Sequence, residues 1–203
     1  MNRKYWLDLF TGKTWEEFLK NGASVSGFRK RRRNIAETIQ PGDYLICYLT
    51  GISRFVGILE VKSKCYFDET PLWENEVFPY RFKVELVCKL EPKTAIPVLN
   101  LKERLSFFLN LKSKNAWTGH FRGSPVEFEK SDGEAIIAAI IETSKNPVER
   151  DYDEKKYKRL AKVYELKEGV VTVPEEEEEE EKEKSPFEKI SHEEIQWLLL
   201  KLG

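Results

Sequence analysis

This chain has little of what most enzyme sites are made from. Its 203 residues include two His, three Cys and one Met. His192 lies near the end, which leaves His120 alone in the body, so a His-dependent triad or multi-His metal centre lacks material. His120 reads as a surface or hydrogen-bonded histidine. Cys47, Cys65 and Cys88 form no CxxC pair and are odd in number, which argues against a disulfide framework or zinc site. Cys47 and Cys88 lie in apolar, strand-like runs and are expected as buried thiols. There is no P-loop and no GxGxxG, so nucleotide hydrolysis has no phosphate cradle, and no motif calls for a cofactor or metal. No apolar h-region follows the basic opening residues. No run approaches the roughly 18 apolar residues of a membrane span, so a soluble, cytoplasmic protein without membrane contact is expected. Only two Gln occur among many Lys and Glu, the balance of a hyperthermophile's cytosol.

What the chain does have is asymmetric charge and many aromatics. The net charge of −1 divides into about +6 over residues 1–170 and about −7 over 171–203. Five consecutive cations, Arg29, Lys30, Arg31, Arg32 and Arg33, follow Gly27-Phe28. Such a run is either a solvated helix start or an electrostatic footprint for phosphates. Aromatics make up 12% of the chain, enough to offer stacking platforms beside that run.

Patterning predicts an α+β body. Lys4 to Phe10 favours strand and ends at the turn signal Thr11-Gly12. Thr14 to Leu19 reads as a short helix capped by Thr14 with Glu17 three residues on. Arg31 to Ile39 reads as another, closed by Pro41-Gly42. Asp43 to Thr50 and Arg54 to Lys62 give the clearest hairpin. Tyr80 to Leu90 is a long strand, Leu99 to Leu111 looks helical, Phe121 to Glu129 could be a last strand, and Gly133 to Ser144 is a compact apolar helix. The regular alternation of a parallel sheet is missing, which points to a small, partly closed barrel of about five or six strands flanked by short helices. Residues 1–150 form this body. Residues 151–170 follow as a charged helical extension, then 171–190 as an acidic linker holding seven glutamates, Glu175 to Glu181. Residues 191–203 read as the start of a truncated downstream domain.

Two constellations compete for function. Pro41-Gly42-Asp43 followed by Glu60-Val61-Lys62 has the acidic and ExK parts of a metal-dependent nuclease; the simpler reading is a turn into a strand and a solvent-facing strand pair. The aromatics offer a second reading. Phe28 and Trp73 lie in polar, turn-rich segments, where an aromatic has few core neighbours. They serve either as base-stacking walls or as satellite clusters under loops. Arg54, Arg81, Arg104 and Arg122 join the basic run as candidate phosphate anchors or are scattered surface cations.

Taken in order, Tyr5-Trp6-Leu7, Gly27-Phe28 with the Arg run, Pro41-Gly42-Asp43-Tyr44-Leu45-Ile46-Cys47-Tyr48, Ser53-Arg54-Phe55-Val56-Gly57, Trp73, Phe78-Pro79-Tyr80-Arg81-Phe82 and Trp117 with Phe121-Arg122-Gly123-Ser124-Pro125 resemble the EVE family. That family belongs to the PUA-like superfamily and is similar to the YTH readers of N6-methyladenine. The resemblance covers about residues 4–142. It implies a PUA-like barrel and a pocket for one modified, flipped base. One wall falls at Ser24, Ser26 and Phe28, another at Trp73, with Trp6 and Trp117 as further aromatics. The strand end at Asp8, Phe10 and Thr11 would read the base edge. This chain has a serine-rich stretch where YTH proteins have a tryptophan in the first wall. The tail resembles the start of a domain joined to EVE modules in McrBC-type restriction proteins. The implied partners are double-stranded DNA carrying N6-methyladenine or a methylated cytosine, a downstream motor domain and a nuclease subunit. The module itself would be non-catalytic. An RNA-binding module, a metal-dependent nuclease and a protein-interaction domain stand as alternatives.

Overall fold

In the computed structural model, residues 3–172 are described, apart from 110, 112, 114, 160–162 and 167–168. The downstream segment 191–203 and all but the first two residues of the expected linker lie outside them. The chain divides into two units, 1–161 and 162–203.

In the first unit, β1 (Tyr5–Phe10) leads into α1 (Gly12–Lys20). The cap is Thr11 rather than Thr14. Thr14 N donates to Thr11 Oγ1 at 3.1 Å and Thr11 N donates to Thr14 Oγ1 at 2.9 Å, so two orphan amides are satisfied reciprocally. Gly22 at φ 85° stops the helix. The serine-rich stretch forms a strand, β2 (Val25–Phe28), because it pairs with a later one. The basic run makes a tight turn into α2 (Arg33–Ala36). Then come β3 (Tyr44–Leu49), β4 (Arg54–Val61), β5 (Tyr66–Phe67), β6 (Tyr80–Lys89), β7 (Ile96–Pro97), β8 (Val126–Glu127), α3 (Lys130–Lys145) and α4 (Glu154–Lys158). In the second unit, β9 (Val163–Leu166) and β10 (Gly169–Thr172) pair antiparallel.

The strands of the first unit lie in the order β2-β6-β4-β3-β1-β8, with β5 on β6 and β7 on β4. β1 and β3 are parallel, and the other pairings are antiparallel. Register shifts at Cys47/Tyr48 and Ile58/Leu59 bend the central strands, as bulges do. The sheet curls so far that β2, at one end of the path, meets β1 near the other: Ser26 Oγ donates to Asp8 Oδ2 at 2.6 Å. No backbone ladder joins these two strands. The result is the expected PUA-like partial barrel with short helices around it. Among the described residues no helix is long and apolar enough to cross a membrane.

Inside, Phe10, Trp15 and Phe18 pack ring on ring, with centroids 5.1 to 5.5 Å apart. α3 lays Gly133 on the Tyr5 ring and buries Ile136 and Ile140, each contributing roughly 1.5–3 kcal/mol.

Two helical expectations fail. Leu99 to Leu111 is held in 3₁₀ turns because Asp132 accepts from Ser106 N at 2.8 Å and Ser106 Oγ at 2.7 Å. Among the described residues of the 151–170 extension, helix is confined to Glu154–Lys158, capped by Asp153, and Val163–Leu166 is strand. Strand wins there because the segment finds a pairing partner in β10. The approach to α4 is tied to the body. The Arg54 guanidinium donates to the carbonyls of Pro92 at 2.9 Å, Lys93 at 3.4 Å, Arg150 at 3.0 Å and Asp151 at 2.5 Å. Tyr157 lies on Gly12, where a Cβ would sit 2.3 Å from the Tyr157 carbonyl oxygen and 2.9 Å from its ring. Gly12→Ala should therefore destabilise the fold by about 1–3 kcal/mol despite alanine's better helix propensity. Calorimetry should show a melting temperature lower by several degrees; an unchanged one would mean that α4 does not bear on α1.

Candidate functional site

The curl leaves a seam. β2 has a ladder only on its β6 side, and β8 borders β1 only at Trp6 and Leu7. The remaining edges of β1 and β2 face each other without a shared ladder, and the Asp8–Ser26 bond spans them. Asp8 is 2% exposed. Burial pushes its carboxyl up to about 7, against a smaller downward pull from the Ser26 hydroxyl. Across the β1–β3 ladder it faces Cys47, whose thiol is pushed well up by burial and then by Asp8. No cation pairs with Asp8 among the described residues.

The neighbouring residue on β2 points the other way. Gly27 faces the long loop 68–79 that joins β5 to β6, and a Cβ there would sit 2.9 Å from the Phe78 carbonyl oxygen. This loop is pinned along its length. Arg81, 1% exposed, pairs with Asp68 at 2.9 Å and donates to the carbonyls of Phe78 at 3.0 Å and of Thr70. Asn21 Nδ2 donates to the Leu72 carbonyl at 2.7 Å, Lys13 pairs with Glu74 at 2.5 Å, and Glu76 pairs with Arg29. The loop thus runs from the flank of α1 to the start of the basic run. Within it Trp73 is 4% exposed, edge-on to Phe78 at 4.9 Å, with the Arg81 guanidinium 5.8 Å from its ring. Its buried Nε1–H has no acceptor. Such a donor normally finds one, so it marks where a ligand group could be received.

The basic run divides in two. Arg29 is held by Glu76, and Arg33 by Glu37 at 2.8 Å, an i,i+4 pair. The Arg32 guanidinium lies against Gly123, which brings the Arg122 segment beside the run. Lys30 and Arg31 are exposed and carry no ion pair among the described residues. Burial, and then the neighbouring Arg29 and Arg32, lower the Arg31 pKa. A bound anion would relieve that crowding.

Several expected site residues have other duties. Trp6 Nε1 donates to Asp43 Oδ2 at 3.1 Å. Phe10 is core with α1, Thr11 is its cap, and Phe28 is buried edge-on to Phe82 at 5.9 Å. Ser24 is exposed at the head of β2, and its carbonyl accepts from Val84 N at 2.9 Å. Trp117 joins a ring cluster of the core with Phe108 and Phe121, the latter stacked on Tyr48 at 4.1 Å. His120 packs on Phe107 in that cluster, and burial lowers its pKa. Arg54 and Arg81 are corrected from phosphate anchors to internal ties, since their guanidinium groups are buried and spent largely on carbonyls. Arg104 is exposed and only brushes the Ala135 carbonyl at 3.5 Å.

The nuclease constellation also dissolves. Asp43 accepts from Lys4 N, Gln40 N and Trp6 Nε1, bracketing a turn. Glu60 and Lys62 pair with each other at 3.1 Å on the sheet surface. Among the described residues no three His, Cys, Asp or Glu side chains gather as a metal set. Sequence reasoning missed Glu76, which holds Arg29 from 47 residues away with no local signal. Glu37 could have been found from its i,i+4 spacing to Arg33.

The buried carboxyl makes stability pH-dependent. Unfolded, Asp8 titrates near 3.8, and in the fold near 7. Between those values the folded chain holds the extra proton, so stability falls as pH rises from about 4 to about 7. Above that range the full cost remains, on the order of 4 kcal/mol. Asp8→Asn should match wild type in urea unfolding near pH 4 and exceed it by a few kcal/mol at pH 8. Parallel profiles would show that Asp8 is not buried uncharged.

The sequence and the fold have counterparts among known proteins. The EVE domain model matches residues 4–139. A UPF0310 protein of Pyrococcus horikoshii is 26% identical over 151 residues, spanning 68% of this chain and 98% of that protein. Another, from Saccharolobus solfataricus, is 26% identical over 153 residues, spanning 70% and 95%. In fold, the chain is similar to the Mmi1 YTH domain complexed with RNA, with a TM-score of 0.52, 15% identity and coverage of 74% of this chain and 85% of that one. A second Mmi1 YTH structure gives 0.51 at 14% identity, covering 70% and 98%. On the match over residues 4–139, this chain belongs to the EVE domain family.

Proposed function

We propose that this EVE domain reads a modified base in duplex DNA, N6-methyladenine or a methylated cytosine, extracted from the stack at the open edge of β2. The observation that carries this is the arrangement along one strand. Ser26 meets the buried Asp8, and Arg29 opens the basic run three residues later, about 10 Å along an extended chain. One strand can thus hold a nucleotide's base and its backbone together. Lys30, Arg31 and Arg32, with Arg122, supply sequence-independent contacts to phosphate. Trp73, packed on the Phe78 that Gly27 faces, supplies a ring and an N–H without an acceptor. Stacking on an aromatic contributes roughly 1–3 kcal/mol, of the same order as the cost of extracting a base. No catalytic role is assigned to the domain. Its output would be position: with the acidic linker and the segment 191–203 leading to a motor and a nuclease subunit, it would bring a cytoplasmic restriction complex to modified DNA.

RNA is the second reading, favoured by the fold shared with a YTH domain solved with RNA. A competition between RNA and DNA of identical sequence separates the two; preference for RNA would replace DNA as the ligand.

The primary test is a binding panel of duplexes, each carrying one modified base. One modified duplex should bind at least tenfold more tightly than its unmodified twin, and equal affinity across the panel would overturn the proposal. Trp73→Ala should reduce that preference by about ten- to a hundredfold, and Trp73→Phe, which keeps the ring and removes the N–H, should fall between. Replacing Lys30 and Arg31 with Gln should weaken all duplexes alike and leave the preference intact. The slope of log affinity against log salt should become shallower by roughly 0.9 for each phosphate that is no longer neutralised.

A further inference from the structure

We propose that Phe67 is a second contact to nucleic acid: its ring stacks on the uncovered face of a base beside the gap that an extracted base leaves. This rests on the base-reading proposal above and adds a site outside the pocket.

The aromatic rings of this protein are spent on the fold, with one exception. Every other Trp, Tyr and Phe whose side chain is described is buried or half-buried, whereas Phe67 is 54% exposed. A lone exposed apolar residue is ordinary on a protein surface. This one is held in place and set beside cations. Its backbone is fixed by the β5–β6 ladder, and the next residue, Asp68, donates its N–H to the Pro79 carbonyl at 2.9 Å. Its ring meets Tyr80 at 5.5 Å with the planes 69° apart, a contact that covers at most one face. The Arg33 guanidinium lies 6.0 Å from that same Tyr80 ring. Lys30 and Arg31, exposed and without ion pairs among the described residues, stand just before Arg33. Two acids of this rim are engaged, Asp68 with Arg81 at 2.9 Å and Glu37 with Arg33 at 2.8 Å.

Register relates the ring to β2. Phe67 opposes Tyr80, and Tyr80 opposes Phe28, so their side chains share one face of the sheet with Ser26, two residues back along β2. Two strand spacings across and two residues along put the Phe67 position about 12 Å from Ser26. The ring is therefore near the base-reading strand without being part of the pocket. A base inside a duplex has both faces covered by its neighbours. Extraction uncovers one face on each flanking base, and a ring that covers it again offsets part of the cost of extraction. Phenylalanine has no hydrogen-bonding group, so this contact reads neither sequence nor mark and acts on extraction itself. The adjacent cations would hold the phosphates on either side of the gap. Five consecutive cations beside the ring favour a polyanion over another protein surface. A second copy docking here about a two-fold axis would set one basic run against the other.

The test compares wild type with Phe67→Ala, Phe67→Leu and Phe67→Trp, whose equal melting temperatures would show that the fold is intact. The ligands are duplexes carrying N6-methyladenine or 5-methylcytosine, their unmodified twins, and modified duplexes with an abasic nucleotide before, after or opposite the modified base. Phe67→Ala should weaken the preferred modified duplex by roughly tenfold, Phe67→Leu should recover little of that, and Phe67→Trp should bind at least as tightly as wild type. The unmodified twin, held through its phosphates, should bind all four proteins alike. One of the three abasic sites should cost wild type a similar factor and cost Phe67→Ala nothing further. Phe67→Ala or Phe67→Leu binding like wild type, or an abasic penalty shared equally by wild type and Phe67→Ala at all three positions, would overturn this site while base reading stands. A wild-type dimer in light scattering that Phe67→Ala dissociates would overturn it in favour of a second copy. Equal wild-type affinity for modified and unmodified duplexes would overturn both proposals.

Discussion

A hydrogen bond from Ser26 to Asp8 joins two strands that share no backbone ladder, and the architecture of the candidate site follows from it. The sheet must curl for those residues to meet, and the bulges at Cys47/Tyr48 and Ile58/Leu59 let it. Curling without closing leaves two open edges at the seam. Those edges are where a flat, hydrogen-bonding ligand could add itself to the fold. A carboxyl held there without a cation has its pKa pushed up to about 7 by burial, so it keeps its proton below neutrality.

The surroundings of the seam are held rather than loose. α1 bridges β1 and β2, its start lies against Tyr157, and the 68–79 loop is tied to α1, to β2 and to the buried Arg81. Arg54 does for residues 150–151 what Arg81 does for the loop. Both spend a guanidinium fork on carbonyls, the use for which arginine's several donors suit it better than lysine. The segment after α3 is therefore part of the body, and it reaches the helix whose cap follows β1 directly.

The parts legible in the sequence were those with strong local pattern. The β3–β4 hairpin, the long β6 and the apolar α3 declared themselves through continuous or alternating hydrophobicity. The basic run stood out as charge, whereas Asp8 entered only through the family resemblance. What was not legible depends on distant partners. β2 looks like a loop because Ser-Val-Ser-Gly has no strand pattern of its own; pairing with β6 makes it one. Arg54 and Arg81 looked like surface cations because the carbonyls they meet lie elsewhere in the chain. Phe28, read as a free aromatic in a polar stretch, is buried because strand alternation turns it inward with Ser26. The helices expected over 99–111 and 151–170 yielded to pairing with other segments, with Asp132 holding Ser106 and β10 pairing with β9.

The central claim is that Asp8 is neutral at the seam and that nucleic acid meets it there. The most direct measurement is a pH titration of the Asp8 carboxyl carbon by NMR, alone and with a saturating duplex carrying the preferred modified base. A midpoint near 7 in the free protein, moving upward when the duplex binds because burial against a neutral base further disfavours the carboxylate, is the predicted result. A midpoint in the ordinary range near 4, or one that the duplex leaves unmoved, would contradict the account.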